Sequence, residues 1–307
     1  MTRSIVLLSG GVGGARLARG FEHLDGVNMT VVVNVGDDES FYGVHVSPDI
    51  DTVMYTVAGV EGPQGWGRSG DTYVLMEHLT ALGVDTRFRI GDADAALNMY
   101  RTMRLLAGDP LHDVIASLAE TLGISCRVIP ATNDRLRTQV QTEQEHWRSF
   151  QEYFVLRGHR DEVTDIRFNG STVAEPAPGV VEAIRQADGV IIGPSNPPLS
   201  IWPVLAVRGI ANAVAQAKRV VAISPLFDGR PLKGPTDTVM ASLGLPPSNE
   251  GILAAYEGLL DDLVIDAGDG HERKDLTRQG VAVHIGNTRI AEQEAATEFA
   301  EWLMELL

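Results

Sequence analysis

Residues 5–16 of the chain read Ile5-Val6-Leu7-Leu8-Ser9-Gly10-Gly11-Val12-Gly13-Gly14-Ala15-Arg16. The apolar run at the start of this stretch predicts a buried parallel strand, and residues 15–21 predict a helix. Glycines between them allow a sharp turn and a close backbone approach to a ligand. The start of a helix adds free N–H groups and a partial positive charge, which favour phosphate. The stretch therefore predicts a strand, a phosphate-binding loop and a helix of an α/β fold.

The glycine-rich loop matches neither of the two common phosphate-binding motifs. The dinucleotide motif G-x-G-x-x-G needs a glycine or alanine where this chain has Arg16. The Walker-type loop ends in Gly-Lys-Ser/Thr, and this one does not. We interpret Gly10, Gly11, Gly13 and Gly14 as a nucleotide-binding loop of a non-standard type. The alternative is a tight turn in an α/β domain that binds no ligand.

Size and composition indicate a globular protein with a sizeable core. The chain has 307 residues, 44% of them hydrophobic, and its mean hydropathy is near zero. We expect one Rossmann-like α/β domain over 1–307, with a mostly parallel sheet and helices on both faces. A smaller inserted α+β region is predicted at about 60–170, because residues 136–142 and 152–156 alternate in polarity like short strands.

Charge and cysteine content exclude several classes of protein. The formal net charge of −16 argues against a nucleic-acid partner, which needs a broad basic face. The sequence has no apolar run of 18 residues and no basic, apolar leader, so we expect a cytoplasmic protein with no membrane partner. The single cysteine, Cys126, excludes an internal disulfide and a cysteine-only zinc site.

Acidic residues follow the second predicted strand, residues 29–33, in two groups. The first is Asn34-Val35-Gly36-Asp37-Asp38, and the second is Ser47-Pro48-Asp49-Ile50-Asp51-Thr52. Asp37 or Asp38 fits the usual ribose-binding position of a Rossmann fold. An oxygen-rich cluster without Cys or His also suits Mg²⁺ or Ca²⁺. For the second group the alternative is helix-start chemistry, with Ser47 as N-cap and the aspartates complementing the dipole.

Three later stretches add candidate ligand groups. Residues 87–94 place two arginines before Asp92, which is predicted to cap a helix over 93–107. Residues 149–155 are rich in aromatic side chains, of which Phe150 and Phe154 suit a core role or an aromatic wall for a flat ring. The corner Gly193-Pro194-Ser195-Asn196-Pro197-Pro198 follows a buried strand, where ligands of open α/β sheets bind. A proline-rich turn is the alternative for that corner, and residues 233–236 predict another loop and helix start.

Taken together, these stretches resemble one family, the 2-phospho-L-lactate transferases, which build the deazaflavin coenzyme F-420. The matching segments are Gly10-Gly11-Val12-Gly13-Gly14, Asn34-Val35-Gly36-Asp37-Asp38, Ser47-Pro48-Asp49-Ile50-Asp51-Thr52, Phe150-Gln151-Glu152-Tyr153-Phe154-Val155 and Gly193-Pro194-Ser195-Asn196-Pro197. They span roughly residues 5–236 in the family's order. One stretch departs from the family pattern, because Arg87 takes the place of the Trp in a Trp-Phe pair.

The resemblance implies a transferase reaction. The hydroxyl of the deazaflavin precursor, FO, attacks a guanosine diphosphate ester of lactate, or of enolpyruvate in some members, and GMP leaves. Mg²⁺ is the implied cofactor and a homodimer the implied assembly. Asp49 and Asp51 are the predicted catalytic residues, and Asp37, Asp38, Asp49 and Asp51 the predicted metal ligands. The glycine loop with Ser195 and Asn196 is predicted to bind the nucleotide, and Asp49, Arg87 and Phe88 to bind FO.

Two other functions remain compatible with the sequence. The interpretation as an NAD-type oxidoreductase depends on the glycine loop and Asp37 alone, and it gives the acidic cluster no function. A nucleotide-sensing relative of the same fold would bind nucleotide without transfer, and would not need both Asp49 and Asp51.

Overall fold

The structure is a computed structural model and describes residues 2–142, 146–159, 161–231, 235–277 and 280–307. Lys233 and Gly234 of the predicted loop at 233–236 lie outside the described residues. The strands, in chain order, are β1 (Arg3–Ser9), β2 (Val27–Val33), β3 (Glu39–Phe41), β4 (Val44–Val46), β5 (Arg127–Pro130), β6 (Arg137–Thr142), β7 (Trp147–Ser149), β8 (Val163–Asn169), β9 (Gly189–Ile192), β10 (Val220–Ile223), β11 (Leu226–Phe227), β12 (Arg230–Pro231), β13 (Asp262–Asp266) and β14 (Ala282–Gly286).

Seven of these strands form the central sheet, in the order β14-β13-β10-β9-β1-β2-β5, and all neighbours are parallel. The strands are apolar on both faces because helices cover both, so they read as continuous hydrophobic runs. Ser9 pairs with Val33, and Leu8 with Ile192, which aligns the carboxyl ends of β2, β1 and β9. Strand β2 lies on one side of β1, and β9 lies on the other side. The strand order therefore reverses between β1 and β9, which makes this the switch point of the sheet.

The helices pack around this sheet in layers. They are α1 (Val12–Phe21), α2 (Pro48–Val57), α3 (Val74–Ala81), α4 (Asp92–Leu106), α5 (Leu111–Thr121), α6 (Val180–Gln186), α7 (Trp202–Leu205), α8 (Ile210–Ala215), α9 (Thr236–Ser242), α10 (Asn249–Ala255), α11 (Arg273–Thr277) and α12 (Gln293–Leu306). Helix α1 packs against α2 and α12, and α6 packs against α8. The α/β class with a mostly parallel sheet is therefore confirmed. Among the described residues, no helix has the length and apolar character needed to cross a lipid bilayer.

The stretch 60–170 contributes to more than one part of the fold. Strand β5 lies within it but pairs with β2 at the edge of the central sheet. Strands β7, β6 and β8 form a separate antiparallel sheet. Of the two alternating stretches, 136–142 contains β6, whereas Glu152–Leu156 is a π-helix whose Tyr153 is buried against Val140 and Val163. Packing against the small sheet thus overrides a weak local alternation.

Helices α3 and α4 cap each other at their N-termini. Asp92 is predicted to cap the helix that it begins, but its carboxylate instead accepts from the N–H groups of Val74 and Leu75 on α3. The start of α4 is capped by Asp71, which accepts from the N–H groups of Ala93 and Asp94. A Cβ atom on Gly91 would lie 2.1 Å from Oδ2 of Asp71, so only glycine fits beside that cap. Each of the two helix starts is thus capped by an aspartate from beside the other helix, and local sequence cannot predict such a pairing.

Candidate functional site

The first two glycines of the loop after β1 touch α2 and the segment after β9. A Cβ atom on Gly11 would lie 2.7 Å from Oδ1 of Asp49, and one on Gly10 would lie 2.4 Å from Cβ of Ser200. Contacts this short leave no space for a side chain. Asp49 therefore stands directly against the glycine loop, as the sequence grouping predicts.

The other two glycines of the loop serve the packing of α1. A Cβ atom on Gly13 would lie 2.0 Å from the carbonyl oxygen of Pro194, and one on Gly14 would lie 2.1 Å from Oγ of Ser9. The backbone of these described glycines stays outside the left-handed region. The glycines are therefore required by close approach within the protein and not by an unusual backbone conformation. The N-cap residue of α1, Gly11, has no side chain to cap the helix, and the first turn of α1 carries no acidic residue.

Asn34, at the end of β2, connects two carboxylates. Its Nδ2 donates to Oδ2 of Asp49 at 2.9 Å and to Oδ1 of Asp37 at 3.3 Å, and its Oδ1 accepts from the N–H of Gly36 at 2.7 Å. Burial raises the pKa of Asp37 well above its usual value, and the charges of Asp49 and Asp38 raise it further. Burial also raises the pKa of Asp49 to about 7, although the Asn34 hydrogen bond opposes that shift.

Asp38 is buried and binds the segment that leads into α2. Its Oδ2 accepts from Oγ of Ser47 at 2.9 Å and lies 2.9 Å from Nε2 of His45, while no described group bonds to its buried Oδ1. Ser47 occupies the predicted N-cap position before Pro48, but its side chain makes no capping hydrogen bond. The cap prediction for the Ser47 hydroxyl is therefore wrong, because the hydroxyl is turned toward the buried Asp38 carboxylate, to which it donates, and does not accept from an N–H of the first turn.

Asp51 forms a buried ion pair with Arg101 of α4. Nη2 of Arg101 donates to Oδ1 of Asp51, and Nη1 donates to Oδ2 at 3.2 Å. Arg101 is completely buried, and it also donates to Oδ1 of Asn98 at 2.7 Å and to the carbonyl of His45 at 3.3 Å. The guanidinium therefore joins α2, α4 and β4, and it engages both carboxylate oxygens of Asp51.

The predicted metal ligands differ in how well they suit a cation. Within the described part of the chain, no three Asp, Glu, His or Cys side chains already stand together as a metal-binding set. Asp37 and Asp49 share the neutral amide of Asn34, and the charge of Asp49 raises the pKa of Asp37, so a divalent cation between them would relieve that repulsion. The unbonded Oδ1 of Asp38 offers a further oxygen. Asp51 does not fit, because Arg101 already neutralises it.

The proline-rich corner after β9 places one of its two predicted nucleotide-binding residues in a structural role. Asn196 caps the following π-helix through Leu199, whose N–H lies 3.1 Å from Oδ1, and its Nδ2 donates to Oγ1 of Thr236 at 3.2 Å. Ser195 is buried, and its Oγ has no partner among the described residues. Pro194, just before it, contacts Gly13. The corner and the glycine loop are therefore adjacent, at the switch point of the sheet.

The predicted FO-binding residues lie beside the hairpin of β3 and β4. Phe88 stacks on Phe41, with ring centroids 3.7 Å apart and planes 7° apart. Arg87 is exposed and pairs with Asp85. Together with Phe41 and Glu39, Arg87 lines an open cleft of about 450 Å³. The hairpin connects Asp38 to α2, so this cleft borders the segment that carries the acidic residues.

The aromatic segment at 149–155 is partly core and partly support for the site. Phe150 and Phe154 stack at 5.2 Å and pack against the buried cluster that contains Tyr153. A core role is therefore confirmed for both phenylalanines. Gln151 is buried, and its Nε2 donates to the carbonyl of Asp37 at 3.0 Å, which holds the loop after β2 in place.

Sequence reasoning missed Asn34 and Arg101 as individual contributors. Asn34 lies within the segment 34–38, in which only the two aspartates are predicted to bind a ligand. Arg101 follows Asp94 and Asn98 at helical spacing, and this buried polar stripe on α4 is a signal that the sequence did contain.

A comparison with protein-family models matches residues 5–300 of the chain to the family described as 2-phospho-L-lactate transferase CofD. The chain belongs to this family. It is 36% identical over 312 residues to the 2-phospho-L-lactate transferase of Methanopyrus kandleri, covering 100% of this chain and 98% of that protein. It is 37% identical over 310 residues to the phosphoenolpyruvate transferase of Streptomyces coelicolor, covering 98% and 97%.

The structural comparison agrees with the family match at the level of the fold. A crystal structure of a upf0052 family member from Bacillus halodurans matches with a TM-score of 0.65 and 19% identity, covering 99% of this chain and 100% of that one. The chain is thus a member of a transferase family, and the match does not favour an NAD-type oxidoreductase.

Proposed function

We propose that this protein transfers a phospholactyl or phosphoenolpyruvyl group from a guanosine diphosphate ester to the hydroxyl of FO, and releases GMP. Family membership supports the class of reaction. The observation that carries the finer proposal is the position of Asp49, which lies against Gly11 and is bound by Asn34. Among the four predicted carboxylates, Asp49 alone remains partly exposed, so it is the one that a substrate can reach.

Asp49 suits the role of general base. With no cation bound, burial raises its pKa to about 7. A bound Mg²⁺ would lower that pKa and keep the carboxylate ionised, which is the form that accepts a proton. In the proposed step the FO hydroxyl oxygen forms a bond to the phosphorus that bears the acyl-derived group. The bond from that phosphorus to the oxygen of GMP breaks, and the electron pair leaves with GMP. The hydroxyl proton passes to a carboxylate oxygen of Asp49.

The rest of the site would bind and orient the two substrates. The uncapped first turn of α1, with Gly10, Gly11, Gly13 and Gly14, would hold the diphosphate. The buried, unpartnered Ser195 hydroxyl would donate to the nucleotide, while Asn196 would keep that corner rigid. The cleft beside Arg87, with the Phe88–Phe41 stack behind it, would receive the ring of FO.

Asp37 and Asp49, with Oδ1 of Asp38, would hold the Mg²⁺ that the family resemblance implies. The ion would supply charge neutralisation at the diphosphate when bound. We restrict the proposed set to these three aspartates and assign Asp51 to the positioning of α2 through Arg101. The reassignment also means that Asp51 no longer separates a transferase from a nucleotide sensor, so only a turnover assay can do so.

The proposed experiment mixes the purified protein with FO, Mg²⁺ and either the lactyl or the enolpyruvyl diphosphoguanosine ester, and follows GMP by chromatography. We expect one GMP for each phosphorylated FO product, with the faster donor identifying the acyl group. GDP binding without GMP release from either donor would support the non-catalytic relative instead. We also propose a cytoplasmic homodimer that acts on small molecules alone, which sedimentation and cell fractionation would test.

A further inference from the structure

Arg16 is a half-buried arginine of helix α1 for which the described residues provide no ion pair. Its Nε is buried and has no hydrogen-bond partner among the described residues. Arg19, three residues later on the same helix, donates to Oε1 of Glu61 at 2.9 Å and to the carbonyl of Ala291 at 2.7 Å. In a chain of net charge −16, an unpaired cation at a partly buried position is unusual.

The guanidinium of Arg16 lies over the first turn of α1. Side chains on a helix lean toward its N-terminus, so Arg16 covers the turn that begins at Val12. The contacts of Gly65 agree with this direction of the Arg16 side chain. A Cβ atom on Gly65 would lie 3.2 Å from Cγ1 of Val12 and 3.6 Å from Nη2 of Arg16. Gly65 therefore lies beside the side chains of both Val12 and Arg16. Because Val12 belongs to the glycine loop, the Arg16 guanidinium lies next to that loop.

A second donor without a described partner lies near the same turn. Ser195 is 7% exposed, and its Oγ has no partner among the described residues. It follows Pro194, whose carbonyl contacts Gly13. Two donors without acceptors thus border an uncapped helix start whose first turn carries no acidic residue. Such donors are satisfied together by an anion with several oxygens.

We propose that Arg16 binds the diphosphate of the guanosine donor, as the side-chain cation that the glycine loop otherwise lacks. This inference rests on the proposed function, because it assigns a residue to the same nucleotide site. It also accounts for the departure from the dinucleotide motif, since Arg16 stands where that motif has a third glycine.

The test measures GDP binding by calorimetry in the intact protein with Mg²⁺, for the wild type and for Arg16→Gln, Arg16→Lys and Arg19→Gln. We expect Arg16→Gln to raise the Kd for GDP about tenfold or more, which is the usual weight of a charge-assisted hydrogen bond. Arg16→Lys keeps the charge and should recover most of the affinity. Arg19→Gln removes the same charge from the same helix and should leave the Kd nearly unchanged.

Guanosine, which has no phosphate, separates a binding role from a structural one. Its affinity should be the same in Arg16→Gln and the wild type, and the thermal unfolding midpoints should agree. An unchanged Kd for GDP in Arg16→Gln, or an equal loss in Arg19→Gln, would overturn the role of Arg16 and leave the nucleotide site in place. A wild-type protein that binds no GDP would remove the proposed nucleotide site itself.

Discussion

Asp49 and Asp51 lie two residues apart at the start of α2 but meet opposite electrostatic environments. Asp51 is buried against Arg101, and the pair is joined by two hydrogen bonds. Asp49 meets the neutral amide of Asn34 and the backbone of the glycine loop, with Asp37 and Asp38 close by. Within the described residues, one carboxylate is therefore paired with an arginine and the other with a neutral amide.

Within one turn of α2, Asp51 therefore bears on the stability of the fold and Asp49 on the proposed function. Truncating one member of a buried ion pair leaves an uncompensated charge, so removing either Asp51 or Arg101 alone should destabilise the fold. Like charges held together without a counter-ion oppose folding, and such strain is typical of active and binding sites. Mutations on the two sides of α2 should therefore have opposite signatures.

The largest expected effect is on catalysis by Asp49→Asn. Removing the proposed base should lower kcat for GMP release about 1,000-fold, which is within the usual range for such a group. The free energy of unfolding should stay equal or rise, because the substitution removes a strained charge. Steady-state kinetics and urea unfolding measure the two quantities. Near-normal transfer by this variant would exclude Asp49 from the mechanism.

The opposite signature is expected for Arg101→Met. Breaking the buried pair should cost about 3–5 kcal/mol of stability, which urea unfolding would measure. The double variant Arg101→Met with Asp51→Leu should recover part of that loss, because no charge is then left unpaired. If Arg101→Met instead keeps its stability and loses only activity, the comparison between the two aspartates fails.

A smaller, pH-dependent effect is expected at Asp94, which lies next to the Asp51–Arg101 pair. Burial raises the pKa of Asp94 to about 6, the charge of Asp51 adds to the shift, and the hydrogen bond from Tyr55 opposes it. Between about pH 4 and pH 6 the folded state keeps a proton that the unfolded state has lost. Stability should therefore fall as the pH rises through this window, by about 1 kcal/mol per pH unit.

Asp94→Asn should remove that slope, and the difference between the two unfolding curves isolates it from other titrations. Tyr55→Phe should extend the slope to higher pH, because the hydroxyl no longer stabilises the charged form. Parallel pH profiles for the wild type and Asp94→Asn would contradict the assignment.

The smallest effect is expected for the cap that Asp71 provides to α4. Asp71→Ala should cost about 1 kcal/mol, as is usual for the loss of an N-cap, with no change in the affinity for GDP. Asp85→Ala is a matched surface control, because Asp85 is exposed and its carboxylate bonds only the neighbouring Arg87 among the described groups. A loss at Asp85 as large as that at Asp71 would show that the effect is not capping.

Local sequence was sufficient where one element decides its own structure. The apolar runs of β1 and β9 and the helix start at Pro48 were predicted within a few residues. Prediction failed where a distant partner competes with a local one. The Ser47 hydroxyl binds Asp38 instead of capping, and Asp92 caps the neighbouring helix instead of its own.

The sequence by itself determined that the glycine loop, the acidic groups and the Pro-Ser-Asn corner would meet, because each follows a parallel strand and the carboxyl ends of such strands share one edge. Only the tertiary structure decided which charges are neutralised there. Arg101 reaches Asp51 from 50 residues away, whereas the hydrogen bond that Asp49 accepts among the described residues comes from the neutral amide of Asn34. Charge pairing depends on burial and on distances of a few ångströms, and these are set by how α2 and α4 pack, not by the order of residues along the chain.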